Sequence, residues 1–132
     1  MVEIQANHSE LTPLRFLERT TEAYPKKTAV IHGTRSYTYA ELEARVHRFA
    51  QALKARIEPG DRVAVLAPNT PEMLMAHYAV PLAGAVLVAL NTRLSAHELQ
   101  YIIDHSAAKL MLADTELLEN TKTLRRDNPT LE

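Results

Sequence analysis

The 132-residue chain contains no cysteine. This excludes disulfides, thiolate metal sites and cysteine nucleophiles in this chain, and it fits a reducing compartment. Net charge is also nearly absent, since 15 basic and 16 acidic residues leave −1. Such a balance exerts no long-range pull on nucleic acid or on an anionic membrane. Long hydrophobic runs are missing too. The longest apolar stretch, from Ala79 to Leu90, is broken by Pro81 and Gly84 and is too short to span a bilayer. The opening residues, MVEIQANHSELTP, are polar and lack the charged-then-apolar layout of a secretory leader. The sequence has no internal repeat and no low-complexity segment. What it does have is an ordinary globular composition, 46% hydrophobic and 23% charged. A chain of this length buries roughly two-thirds of its unfolded surface when it folds. The expectation is a soluble, cytoplasmic chain without a membrane span. Residues 1–10 are read as a loose arm and residues 11–132 as a single α/β unit.

Local signals divide that unit. Thr12 and Pro13 suit a helix start, and Leu14, Leu17 and Tyr24 share one helical face with Phe16 beside it. KTAVIHGTRSYTY reads as two short strands around Gly33-Thr34, a hairpin. Thr38 and Glu41 form a capping box, followed by a helix with Leu42, Val46, Phe49, Ala50 and Leu53 on one stripe. Pro59 and Gly60 stop it. RVAVLA, AVLVAL and KLMLA then read as short apolar strands of a sheet covered on both faces. Between them lie a helix capped by Asn69 or Thr70 and one opened by the Ser95/Glu98 capping box, with Leu99, Ile102 and Ile103 inward. Pro81 has no N–H for the carbonyl of His77, so the first of these helices is expected to kink or end there, with Gly84 turning the chain out. DTELLENTKTLRR reads as a final helix, with Arg125 and Arg126 at its negative end. This alternation predicts an α/β fold, a parallel sheet of βαβαβ units with flanking helices and a small N-terminal β-hairpin.

The junction GDRVAVLAPNTPEM runs from a strand into a helix, where nucleotide-binding folds hold phosphate. A phosphate cradle needs converging backbone N–H groups, and glycine permits that approach. The linking PNTP has no glycine, and two of its four residues are prolines without an N–H. A helix cap accounts for it better than an anion site. The six histidines, His8, His32, His47, His77, His97 and His105, form no H-x-x-x-H pair, and HELQY departs from H-E-x-x-H. Ser9, Ser36, Ser95 and Ser106 lack a nucleophile-elbow setting. TLRR is too short a basic run for nucleic acid. No residue qualifies as catalytic, metal-ligating or cofactor-binding. One loop stands out. Asn91 and Arg93 sit where a strand ends, on the side from which open α/β sheets bind ligands, so they are candidates to face a substrate, with loop closure as the structural alternative.

Three blocks carry a resemblance: SYTYAELEARVHRFAQAL, GDRVAVLAPNTPEMLMAHYAVPLAGAVLVALNTRL and AHELQYIIDHSAAKLMLAD. In order and spacing they resemble the beginning of an acyl-CoA synthetase of the adenylate-forming, AMP-binding enzymes. Within the second block, VPLAGAVLVALNTRL leans toward the fatty or aryl acid branch. The similarity runs from about Leu11 to Asp114. It implies part of the family's large N-terminal domain and, in a full-length enzyme, conversion of carboxylate, ATP and CoA to acyl-CoA, AMP and pyrophosphate with Mg as companion ion. The family's phosphate loop, T-S-G-T-T-G-x-P-K, its adenine and ribose motifs and its C-terminal catalytic lysine have no counterpart in these residues. The resemblance therefore implies a fragment cut before the phosphate-binding loop, a scaffold inactive alone, with no cofactor of its own. ATP, Mg and CoA belong to the full-length family. The partners implied are the remainder of the synthetase or a second copy, as a homodimer. A stand-alone interaction module derived from this scaffold is the alternative. An independent nucleotide binder is disfavoured by the glycine-free junction.

Overall fold

A computed structural model describes residues 11–122, 124 and 130–132. The expected arm at residues 1–10 lies outside them, as do Arg125 and Arg126. The order is α1 (Pro13–Ala23), β1 (Thr28–His32), β2 (Arg35–Thr38), α2 (Tyr39–Lys54), β3 (Arg62–Leu66), α3 (Pro71–Leu82), β4 (Val86–Leu90), α4 (Ala96–Ser106) and β5 (Leu110–Ala113). β1 and β2 form an antiparallel ribbon. Its Gly33-Thr34 turn has a positive φ at Gly33 alone, +59°, matching a tight two-residue hairpin. The main sheet is parallel, in the order β4-β3-β5.

That order makes the sheet two-faced. Val63 and Val65 of β3 turn to a core shared with Leu42, Val46 and Ala50 of α2 and Met75, Ala79 and Val80 of α3. Ala64 and Leu66 turn the other way, to Leu99 and Ile103 of α4 and to Leu124. The period of two in RVAVL thus serves two cores, and β3 is buried from both sides.

Caps set the helix ends. Both expected capping boxes form: the Thr38 hydroxyl accepts from Glu41 N–H at 3.3 Å while Glu41 accepts from Thr38 N–H at 2.8 Å. Ser95 and Glu98 repeat this at 3.3 and 2.9 Å. Thr70, rather than Asn69, caps α3 by accepting from Met73 N–H. α3 ends at Leu82, one residue after Pro81. Ala85 N–H then bonds to the Val80 carbonyl and Gly84 N–H to that of Pro81, with Gly84 at φ +86°. This is a Schellman closure with glycine at its left-handed position.

Three local expectations are corrected. Thr12 occupies the cap position of α1 but makes no side-chain cap bond. Tyr24 and Phe16 are exposed, because α1 seats itself through Leu17 and Thr21. The segment after β5 is a 3-10 helix over Thr115–Thr121, not an α-helix from its first residue. Asp114 accepts from the Glu116 N–H and starts a tight turn, and the Thr121 hydroxyl donates to the Leu118 carbonyl three residues back.

Candidate functional site

All three parallel strands deliver their loops to one end of the sheet. The chain leaves β3 into α3 on one face and leaves β4 into α4 on the other, crossing β3 to reach β5. The carboxyl ends of β3 and β5 therefore bracket a topological switch point, the place where open α/β sheets open a crevice. A cleft of ≈ 280 Å³ lies there, lined by Ala67, Thr70, Glu72, Met73, Leu112, Ala113, Asp114 and Thr115.

The polar groups of this cleft hold its own loops. The Thr70 hydroxyl caps α3. The Asp114 carboxylate accepts from Glu116 N–H at 3.0 Å, and Asp114 N–H bonds the Leu66 carbonyl at 2.8 Å. Glu72 reaches out to Arg35 of β2, with bonds of 2.7 and 3.3 Å to its two Nη atoms. The Arg35 hydrogen bonds hold the Glu72 carboxyl below its ordinary pKa against the opposing effect of burial. Hydrogen bonding to Glu72 likewise raises the Arg35 guanidinium. Arg35 also bonds His32 Nδ1 at 3.3 Å, so the hairpin is tied to the first turn of α3. The β3–α3 junction has no cradle: Pro68 and Pro71 carry no N–H, and Thr70 N–H bonds the Pro68 carbonyl at 2.7 Å.

Asn91 and Arg93 lie at the same end of the sheet but follow β4, on the far side of β3 from the cleft. Asn91 Oδ1 accepts from Arg93 N–H at 2.9 Å and the Asn91 carbonyl accepts from Leu94 N–H at 3.2 Å, which closes the turn. Both residues are exposed, and among the described residues the Arg93 guanidinium has no partner. The structure brings neither into the cleft. Glu72, Arg35 and Asp114 were missed from the sequence. Asp114, directly after an apolar strand, carried a readable cap signal, whereas the Arg35–Glu72 pair, 37 residues apart, carried none.

The described histidines join no metal cluster. His77 bonds the Met73 carbonyl within its own helix, and His105 stacks on Tyr101. Among the described residues no three His, Asp, Glu or Cys groups could share a metal ion. Ser36 lies in β2, Ser95 caps α4 and Ser106 donates to the Ile103 carbonyl. No described helix is long and apolar enough to cross a membrane.

Comparison with known proteins sets this geometry in context. A family model described as AMP-binding enzyme matches residues 17–132. An acetate–CoA ligase of Humulus lupulus is 46% identical over 112 residues, 84% of this chain and 20% of that protein. A peroxisomal acetate/butyrate–CoA ligase of Arabidopsis thaliana is 44% identical over 115 residues, 86% of this chain and 20% of the relative. The crystal structure of a benzoate CoA ligase from Burkholderia xenovorans LB400 superposes with a TM-score of 0.84 at 31% identity, over 93% of this chain and 25% of that one. The chain thus spans about a fifth of the length of the curated relatives it matches.

Proposed function

We propose a function from one premise: the chain belongs to the AMP-binding enzyme family. Within that family we read it as N-terminal scaffold of an ATP-dependent acyl-CoA ligase. The whole enzyme would join a carboxylic acid to CoA through an acyl-adenylate, releasing pyrophosphate and AMP. The names of the relatives support a short aliphatic or aryl acid. This region would supply a rigid sheet and the substrate-side ends of three strands, and would be inactive by itself. The β3–α3 junction supports this reading, because it has no glycine, Pro68 and Pro71 have no N–H and the Thr70 N–H is already bonded, whereas a transferring phosphoryl group needs several converging donors. Pyrophosphate exchange with a panel of carboxylic acids tests it. No exchange above a buffer blank is expected, and exchange abolished by substitutions in this chain would overturn the reading.

Arg93 is the substrate-side group we assign. Its exposed guanidinium, presented by the Asn91 turn, is suited to an anionic group of a cosubstrate. In a ligase assembled around this chain, Arg93→Ala would raise one KM and leave kcat unchanged. As partners we propose the remainder of such a ligase and, for the isolated chain, a two-fold homodimer. The uncharged edge of β4, with Val86 half exposed, supports the second. A strictly monomeric mass by light scattering at high concentration would sink the dimer and favour the interaction-module reading. For the compartment we propose the cytoplasm, which the cysteine-free composition fits. The peroxisomal name of the Arabidopsis relative supplies the competing outcome in imaging of a tagged chain.

A further inference from the structure

His32 and Arg35 are cross-strand partners on either side of the Gly33-Thr34 turn. Arg35 Nη2 lies 3.3 Å from His32 Nδ1, and the same guanidinium holds both oxygens of Glu72 at 2.7 and 3.3 Å. A guanidinium can only donate. His32 Nδ1 is therefore the acceptor of this bond, which places the imidazole proton on Nε2 and leaves the ring neutral. The three side chains make a continuous polar chain from the hairpin turn to the first turn of α3.

A crevice of ≈ 300 Å³ lies between β1 and the start of α3, with Val30, Ile31 and His32 on one side and Thr70, Met73 and Leu74 on the other. Thr70 and Met73 also line the cleft at the switch point, so one turn of α3 is a wall of both cavities. Ile31 and Leu74 remain exposed, so little apolar burial backs the polar chain here. Few charges face His32. Arg35 is the cation beside it and Glu72 of α3 the carboxylate beyond, while the other residues of the crevice are uncharged. Further along β2, the Tyr37 ring lies 4.5 Å from the Arg45 guanidinium of α2.

We propose that His32, Arg35 and Glu72 form a pH-sensitive latch: neutral His32 keeps Arg35 on Glu72 and the hairpin on α3, and protonated His32 releases the hairpin and widens the crevice. Imidazole is the side chain of the three that changes charge between about pH 8 and pH 5. Arg35 stays a cation, and Glu72, held low by Arg35, stays a carboxylate. Protonation turns the Nδ1 acceptor into a donor and sets two cations at bonding distance. Because Thr70 and Met73 are shared, the release reaches the switch-point cleft. All three groups and both cavities belong to this chain, so the latch does not depend on the ligase reading.

Nitrogen NMR of the imidazole at about pH 8 makes the first test. The Nε2–H tautomer of His32 is expected, and a dominant Nδ1–H form would overturn the latch. Amide exchange of the hairpin is then compared at about pH 7.5 and 5.5 as protection factors, with the β3 amides as the reference for global stability. A single exposed charge contact is small, so hairpin protection should fall roughly threefold in acid while β3 holds. His32→Gln keeps an oxygen that can accept from Arg35 but cannot titrate, and should show no such fall. Arg35→Ala should show the acid level of protection at both pH values. An equal fall in the parent and in His32→Gln would overturn the proposal. So would firmer hairpin protection of the parent in acid, which would mean that charged His32 takes Glu72 for itself.

Discussion

Ala107 should be more stable as glycine. It closes α4 in the left-handed region, at φ 50° and ψ 45°, the one described non-glycine residue with positive φ. Its N–H bonds the Asp104 carbonyl and Ala108 N–H bonds that of Ile103, the same closure that Gly84 makes for α3. An L-residue there holds its Cβ against a carbonyl, at about 1–2 kcal/mol. Glycine relieves this but adds about 0.4–1 kcal/mol of unfolded-chain freedom. The Ala107 methyl is exposed, so no packing is lost. Ala107→Gly should gain roughly 0.5–1 kcal/mol, a rise of about 0.3–0.5 M in urea midpoint for a slope near 2 kcal/mol/M. Far-UV circular dichroism is the probe, because the chain lacks tryptophan. Ala55→Gly is the control: Ala55 follows α2, exposed, at φ −76°. Glycine there brings only freedom and should lose about 0.5–1 kcal/mol. If both variants lost stability equally, Ala107 would not be strained and the reasoning would fail.

Arg62→Ala should cost about 1–2 kcal/mol, because the guanidinium satisfies the Ser106 carbonyl at 2.7 Å and the Ala107 carbonyl at 3.1 Å from the first residue of β3. Arg62→Lys should recover less than half, since an ammonium cannot span both, and full recovery in urea melts would refute the two-bond account. Gly84→Ala should lose about 1 kcal/mol from φ alone, because the nearest atoms a Cβ would meet, on Pro59, are 3.9 Å away. A much larger loss would point to a clash that the backbone geometry does not contain.

The elements that sequence revealed are those fixed by neighbours in the chain. Thr38 and Glu41, or Ser95 and Glu98, are three apart and close on each other whatever the rest does. Pro81 and Gly84 end α3 by what they lack, an N–H and a Cβ. Sequence was silent where the deciding partner is remote. Nothing in DHSAAK marks Ala107 as left-handed, because Arg62, some 45 positions earlier, receives the carbonyls that would otherwise be unsatisfied there. Tyr24 and Phe16 match a helical face in spacing, yet only Leu17 and Thr21 meet the core. The site divides the same way. The glycine-free junction was readable as a corner, and the Asn91–Arg93 loop as one that follows the carboxyl end of a strand. The cleft between β3 and β5 follows only from the order β4-β3-β5, which no local pattern encodes, and that order separates the Asn91–Arg93 turn from it.

Acid should loosen this fold through three helix starts. Glu41 is held below the ordinary carboxylate range by the Thr38 N–H and then its hydroxyl, and Glu98 by the Ser95 hydroxyl and then its N–H. Glu72 is lowered by Arg35. Each carboxylate opens an α-helix, α2, α4 or α3, where negative charge also meets the positive end of the dipole. A folded pKa below the unfolded value of about 4.3 means that the unfolded chain binds protons first as acid is added. The stability from these groups is therefore complete from about pH 5 upward, falls as pH passes through the unfolded value and is lost as pH drops through the folded values. Arg35 stays charged throughout and adds no slope. Glutamine at positions 41 and 98 keeps an oxygen for the capping bonds but cannot titrate. Glu41→Gln/Glu98→Gln should therefore start somewhat less stable at pH 7 and lose less between pH 6 and pH 3 than the parent. The measurement is the urea midpoint across that range. Parallel profiles for parent and double variant would show that the two caps do not set the acid response, and would leave Glu72 and its pair with Arg35 as the group to replace next.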